Sequence, residues 1–132
     1  MSVRISAHDW MEEAGNTEED ALAIAQAFIA AGADIIQTEG GTSAKPFSAG
    51  SLGLIEKAAP TLAAAHSISR AVSVPVLCAS GLSSVTVPMA IAAGAAGVGV
   101  GSAVNKLNDQ LAMVAVVRGL REALGSAVSA AV

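Results

Sequence analysis

Val74-Pro75-Val76-Leu77-Cys78-Ala79-Ser80-Gly81-Leu82-Ser83 runs a short apolar strand into a glycine turn and on into a helix of small residues. The next stretch repeats the arrangement: Ala96-Gly97-Val98-Gly99-Val100-Gly101-Ser102-Ala103, followed by Val104-Asn105-Lys106-Leu107. Two strand–turn–helix units in succession predict parallel strands joined by crossover helices. Where a glycine turn leads from a strand into a helix N-terminus, backbone N–H groups and the helix dipole favour an anion.

Working outward, the strands are expected at 74–79 and 97–100. A helix is expected over roughly 83–93, closed by Gly94, with a short helix at 103–107 and a longer one at 109–124. Gly125 to Val132 reads as a frayed tail of small residues. Upstream, Val3 to Ala7 reads as the first strand and His8 to Asn16 as a loop. Thr17-Glu18-Glu19-Asp20 opens a helix with a capping hydroxyl and acids in the first turn. Leu22, Ala25, Phe28 and Ile29 then recur at helical spacing until Gly32. Ala33 to Thr38 is the second strand, and residues 39–59 read as a long glycine-rich connection. Pro60 suits the first turn of a helix running to about Ala71. The order βαβαβαβα predicts a single α/β domain over 1–124 with a parallel sheet.

Composition narrows the function classes. The chain of 132 residues is 53% hydrophobic and 14% charged, which excludes disorder. Its aromatics are Trp10, Phe28 and Phe47, so few rings exist to stack on a base or sugar. A net charge of −4 without a basic cluster argues against nucleic acid. The lone Cys78 cannot form an internal disulfide, which fits a reducing, cytoplasmic setting. Residues 1–10 hold no apolar run of signal-peptide length. Glycine and proline break the hydrophobic stretches short of the ~18 residues of a membrane span. No cluster of Cys, His or carboxylates has metal-ligand spacing, so no metal is expected.

Consecutive units of the kind at 74–83 and 96–107 resemble the last two strands of a TIM barrel, where glycine turns commonly hold a phosphate. Such a barrel takes ~250 residues, so this chain resembles half of one. Two further resemblances cover different stretches. ADIIQTEGGTSAKPFSAGSLGLIEKAAPTLAAAHSISRAVSVPVLCASGL and PMAIAAGAAGVGVGSAVNKLND, within residues 34–124, resemble the C-terminal half of a functionally uncharacterised barrel family of plastids and cyanobacteria. VRISAHDW and NTEEDALAIAQAFIAAGADII, within residues 3–36, resemble the fifth strand and helix of old yellow enzyme-type flavin reductases. That second resemblance implies FMN as a cofactor, with Arg4 at the flavin pyrimidine edge. The reductases' phosphate-binding arginine has no counterpart here, since Ser102 follows Gly101.

The candidate site is phosphate capture by Ser80 and Gly81 on one turn and Gly99, Gly101, Ser102 and Ala103 on the next. Alternatively, these glycines let helices pack closely on strands. Lys106 and Asn105 can assist from the short helix or simply solvate its end. Glu39, directly after the second strand, is the candidate catalytic base, or a residue that caps the Gly40-Gly41 turn. Gly40-Gly41-Thr42-Ser43 with Lys45 reads as a surface loop or a lid. Arg4, inside an apolar strand, needs a partner: a flavin edge, an anion, Asp34 or Glu39. His8 and Asp9 follow the first strand at catalytic position without a third partner, while Trp10 packs under the loop. His66 reads as a surface residue and Cys78 as inert core.

Four strands cannot close a barrel, and helices on one face leave the other open. The expected architecture is therefore a (βα)4 half-barrel, completed to eight strands by a homodimer with strand four of one subunit beside strand one of its partner. Three functions fit: an FMN or sugar-phosphate binder with oxidoreductase-like ancestry, a non-catalytic scaffold or recombined fragment that folds as a dimer, and a sugar-phosphate lyase or isomerase using Glu39.

Overall fold

A computed structural model describes residues 2–6, 18–39 and 45–131, with only the backbone of 2–6, 39 and 128–131. His8, Asp9, Trp10, Thr17 and the Gly40–Ser43 segment lie outside the described residues. The elements are β1 (Ser2–Ser6), α1 (Glu18–Ala30), β2 (Ile35–Glu39), α2 (Gly50–Ala71), β3 (Val76–Ala79), α3 (Val87–Ala92), β4 (Gly97–Gly99), α4 (Ser102–Asn105) and α5 (Gln110–Ala131). The four strands form one parallel sheet in the order β1-β2-β3-β4.

The strand order follows the chain without reversal, so right-handed crossovers carry every helix to the same side. Helix contacts agree: α1 packs on α2, α2 on α3 and α3 on α5, while α2 also touches β2 and β3. Side chains along the strands alternate accordingly. Ile36, Thr38, Val76 and Cys78 are buried beneath the helices, whereas Ile35, Gln37 and Leu77 on the intervening positions are half-buried. Leu77 reaches across to β4, where a β-carbon at Gly97 would stand 2.9 Å from its Cδ2.

Small residues set the spacing of the core. Ala21 and Ala25 of α1 and Ala64 and Ile68 of α2 pack with Ile36 and Val76. Ala58 and Ala65 of α2 pack with Cys78, Leu82, Ala90 and Ala95. Alanine on the helix faces brings backbone close to sheet, and the few larger aliphatics fill what is left. Truncating the fully buried Ile68 to alanine would cost about 2–5 kcal/mol.

Helix ends follow local chemistry. Glu18, Glu19 and Asp20 occupy the first turn of α1, where the dipole favours acids. At its other end the Ala33 N–H bonds the Phe28 carbonyl and Gly32 N–H that of Ile29, and α3 ends the same way around Gly94. Gly94 has φ +112°, and a β-carbon there would meet the Ser69 Oγ at 2.3 Å, so no other residue suits the crossing.

Four helices differ from their expected bounds, α4 by starting one residue and ending two residues early. α2 begins at Gly50, so Pro60 lies in its interior and is buried. An interior proline costs ~3 kcal/mol, and anchoring of the preceding turns opposes that cost. Glu56 accepts the Phe47 N–H at 2.6 Å, the Ser48 N–H at 3.1 Å and the Ser48 hydroxyl at 2.7 Å. Those bonds also hold the Glu56 carboxyl below its usual range, the Ser48 hydroxyl foremost. α3 starts later than expected because residues 83–86 form a turn, closed by the Ser83 N–H on Thr86 Oγ1 at 2.9 Å. α5 continues through Gly125 to Ala131, the stretch expected as a tail. Its alanines favour helix enough to offset the ~1 kcal/mol cost of Gly125.

Candidate functional site

β3 and β4 end side by side, with Ala79 paired to Gly99. The turns that follow enclose a pocket of about 470 Å³. Ser80, Gly81 and Leu82 line it from the first turn, and Gly99 to Ala103 from the second. Every residue of the expected glycine-turn site is therefore gathered in one cavity. Gln37 of β2, Lys57 of α2 and Lys106 after α4 complete the lining.

The first turn is held in an uncommon conformation. Ser80 has φ +88° and is the one non-glycine residue with positive φ among those described. A side-chain-bearing residue in that region costs of order 1–3 kcal/mol and persists only where its surroundings enforce it. The surroundings here are on α2: Thr61 Oγ1 donates to the Ser80 carbonyl at 2.7 Å. Gly81 follows with φ +70°, and a β-carbon on it would lie 2.9 Å from the Lys57 carbonyl oxygen and 3.5 Å from Lys57 Cγ. The stem of Lys57 thus runs along the bare Cα of Gly81 at the rim of the cavity.

The second turn is more open. Gly101 precedes α4, and a β-carbon there would meet nothing within 4 Å. Ser102 and Ala103 open α4, and the first N–H groups of a helix have no acceptor within it. The Val104 and Asn105 N–H groups both bond the Gly101 carbonyl, closing the turn.

Charge in the cavity is one-sided. Lys57 is half-buried and Lys106 exposed, and among the described residues no carboxylate lines the pocket. In a chain of net charge −4, two cations gathered with serine hydroxyls and helix-opening amides suit a phosphate ester.

The remaining candidates divide. Glu39 is the last residue of β2 rather than the first beyond it, and pairs with Ser6 on one side and Ala79 on the other. Arg4 of β1 pairs in register with the pocket residue Gln37. Lys45 is exposed, as is His66. Cys78 is buried, donates to the Thr61 carbonyl at 3.6 Å, and has its pKa pushed up to about 12 by burial. It is an inert thiol, as its apolar strand implied. Sequence reasoning missed Lys57, because residues 39–59 read as a connection and hid its place on a helix.

Among the described residues no helix is long and apolar enough to cross a membrane. No solved structure matches the chain. The curated proteins similar to it are uncharacterised. "Uncharacterized protein ycf23" of Porphyra purpurea is 33% identical over 95 residues, covering 72% of this chain and 36% of that protein. The protein of the same name from Cyanophora paradoxa is 41% identical over 81 residues, covering 61% of this chain and 33% of its own. That from Pyropia yezoensis is 30% identical over 106 residues, covering 80% and 39%. The chain thus spans between a third and two fifths of the length of these relatives. A family described as "Protein of unknown function (DUF561)" matches residues 16–130. Its match includes residues 16–36, part of the stretch whose words resemble the flavin reductases, and leaves Arg4 outside. By that match over most of its length, the chain belongs to the DUF561 family.

Proposed function

We propose that this chain binds a phosphate-bearing small molecule at the turns after β3 and β4. The observation that carries the reading is the lining of one pocket by Ser80, Gly81, Gly99, Gly101, Ser102 and Ala103 with two lysines and, among the described residues, no acid. Its volume of about 470 Å³ lies within the ~300–1,000 Å³ of small-molecule sites. A sugar phosphate fits this lining throughout. For FMN the phosphate end fits, whereas among the described residues no aromatic side chain lines the pocket to stack on the ring. Gly101→Asp tests the site, because open space at Gly101 admits a side chain without a clash. Calorimetric titration with inorganic phosphate, glycerol 3-phosphate and FMN should show at least a tenfold loss in this variant, with its melting temperature kept. Unchanged affinity overturns the assignment.

The architecture that best accommodates this site is a (βα)4 half-barrel. Sequential strand order and a one-sided helix layer support it, as do the half-buried Ile35, Gln37 and Leu77 on the opposite face. A second copy pairing β4 with β1 would remove both sheet edges and cover that face. Light scattering should then give a mass near twice the 12.9 kDa chain. A compact monomer would overturn the completed barrel while leaving the pocket, which lies within one chain.

The position of Glu39, in register with the pocket residue Ala79, supports a second reading. In it the carboxylate removes a proton from a bound sugar phosphate. Solvent deuterium should enter the ligand with the parent chain and not with Glu39→Gln. Equal exchange with both would remove Glu39 from the chemistry.

A further inference from the structure

Lys57 is a half-buried cation on α2 that lines the pocket, and the described lining holds no carboxylate. It reaches the pocket from α2, behind the β3 turn, whereas the helix-opening amides, Ser102 and Lys106 lie around the β4 turn. Glu56, adjacent in sequence, is occupied by Phe47 and Ser48. The lysine stem lies along Gly81, where a β-carbon would clash with the Lys57 carbonyl at 2.9 Å and stand in ordinary contact with the stem at 3.5 Å. A cavity of about 470 Å³ also holds far more than one phosphate group.

On this basis, and resting on the phosphate reading above, we infer that the ligand carries two anionic groups. A phosphate sits at the β4 turn with Lys106, and a carboxylate or second phosphate is gripped by Lys57 at the β3 turn. The substrate class is then a phosphorylated acid or a bisphosphate, rather than a simple phosphate ester. Lys57 is the specificity-determining residue, because it meets only the group that distinguishes the two classes. A half-buried ammonium facing a pocket whose described lining holds no acid favours a ligand that supplies a counter-charge.

Calorimetry of the full chain with glycerol 3-phosphate, 3-phosphoglycerate and fructose 1,6-bisphosphate tests this. The parent should bind one or both of the doubly anionic probes at least tenfold more tightly than glycerol 3-phosphate. Preference for 3-phosphoglycerate identifies the second group as a carboxylate, and preference for the bisphosphate as a phosphate. Lys57→Gln should weaken the doubly anionic probes by a larger factor than glycerol 3-phosphate and so narrow the preference to within about twofold, and Lys106→Gln should weaken all three. If Lys57→Gln weakens glycerol 3-phosphate as much as the others, Lys57 shares a single phosphate site and the inference fails while the phosphate reading stands. If the parent shows no preference, the inference fails alone. If no probe binds the parent, both fail together.

Discussion

Thr61 Oγ1 on α2 donates a 2.7 Å hydrogen bond to the carbonyl of Ser80, the residue held at φ +88°. The same threonine's carbonyl accepts the Cys78 thiol at 3.6 Å. One buried residue therefore fixes both the end of β3 and the turn beyond it. Thr61→Val, close in size but without the hydroxyl, leaves the Ser80 carbonyl short of a partner. We expect a loss of about 1–3 kcal/mol in urea unfolding, with Thr61→Ser losing less. Equal losses in the two variants would mean that packing, rather than the hydrogen bond, is what matters.

Ser80 and Gly81 predict opposite outcomes for similar changes. Ser80→Gly relieves a strained backbone and should raise stability by up to about 1 kcal/mol, while weakening phosphate binding by removing a hydroxyl from the pocket. Gly81→Ala forces a side chain into φ +70° and against the Lys57 carbonyl at 2.9 Å. It should lower stability by at least about 1–2 kcal/mol. Thermal unfolding of the pair checks both signs at once.

Glu56 predicts a pH dependence confined to the start of α2. Its carboxyl is lowered by the bonds to Ser48 and Phe47, so the anchor is complete above the carboxyl's unfolded value of about 4.5 and is lost as pH falls through the lower folded value. Hydrogen exchange at the Phe47 and Ser48 amides, taken relative to the intrinsic amide rate at each pH, should quicken on acidification. In Glu56→Gln it should be faster already at neutral pH. Exchange that ignores both changes would show that the anchor is not formed in solution.

Cys78 should resist modification. With its thiol pushed up to about 12 against an ordinary 9.0, the folded state keeps its proton where the unfolded state loses it. Its contribution to stability is therefore complete below pH 9 and declines as pH rises through 12. A thiol reagent at a pH of about 8 should label the chain only after denaturant is added. Rapid labelling of the folded chain would contradict this burial.

Much of this architecture is written locally. The glycines at 32 and 94 mark helix ends through bonds that depend on neighbouring residues alone. The turns at 80–81 and 99–103 announce themselves because glycine follows an apolar run in both. The start of α2 does not, since Pro60 is as common in a first turn as it is rare in an interior. What sustains the earlier helical turns is Glu56 bonding back over eight and nine residues, a contact without a periodic signature. Lys57 was hidden for the same reason, because a lysine in an assumed loop gives no hint of facing a pocket. That the turns after β3 and β4 meet around a common cavity is legible, because consecutive parallel strands end on the same edge of the sheet, and the pairing of Ala79 with Gly99 realises it.

The space beside Gly101 and the seclusion of Cys78 together make the chain convenient for spectroscopy. Gly101→Cys would create a single reactive thiol at the mouth of the cavity, with the native one shielded. An environment-sensitive dye attached there would report occupancy through its emission, so that metabolite collections could be screened before any ligand is identified.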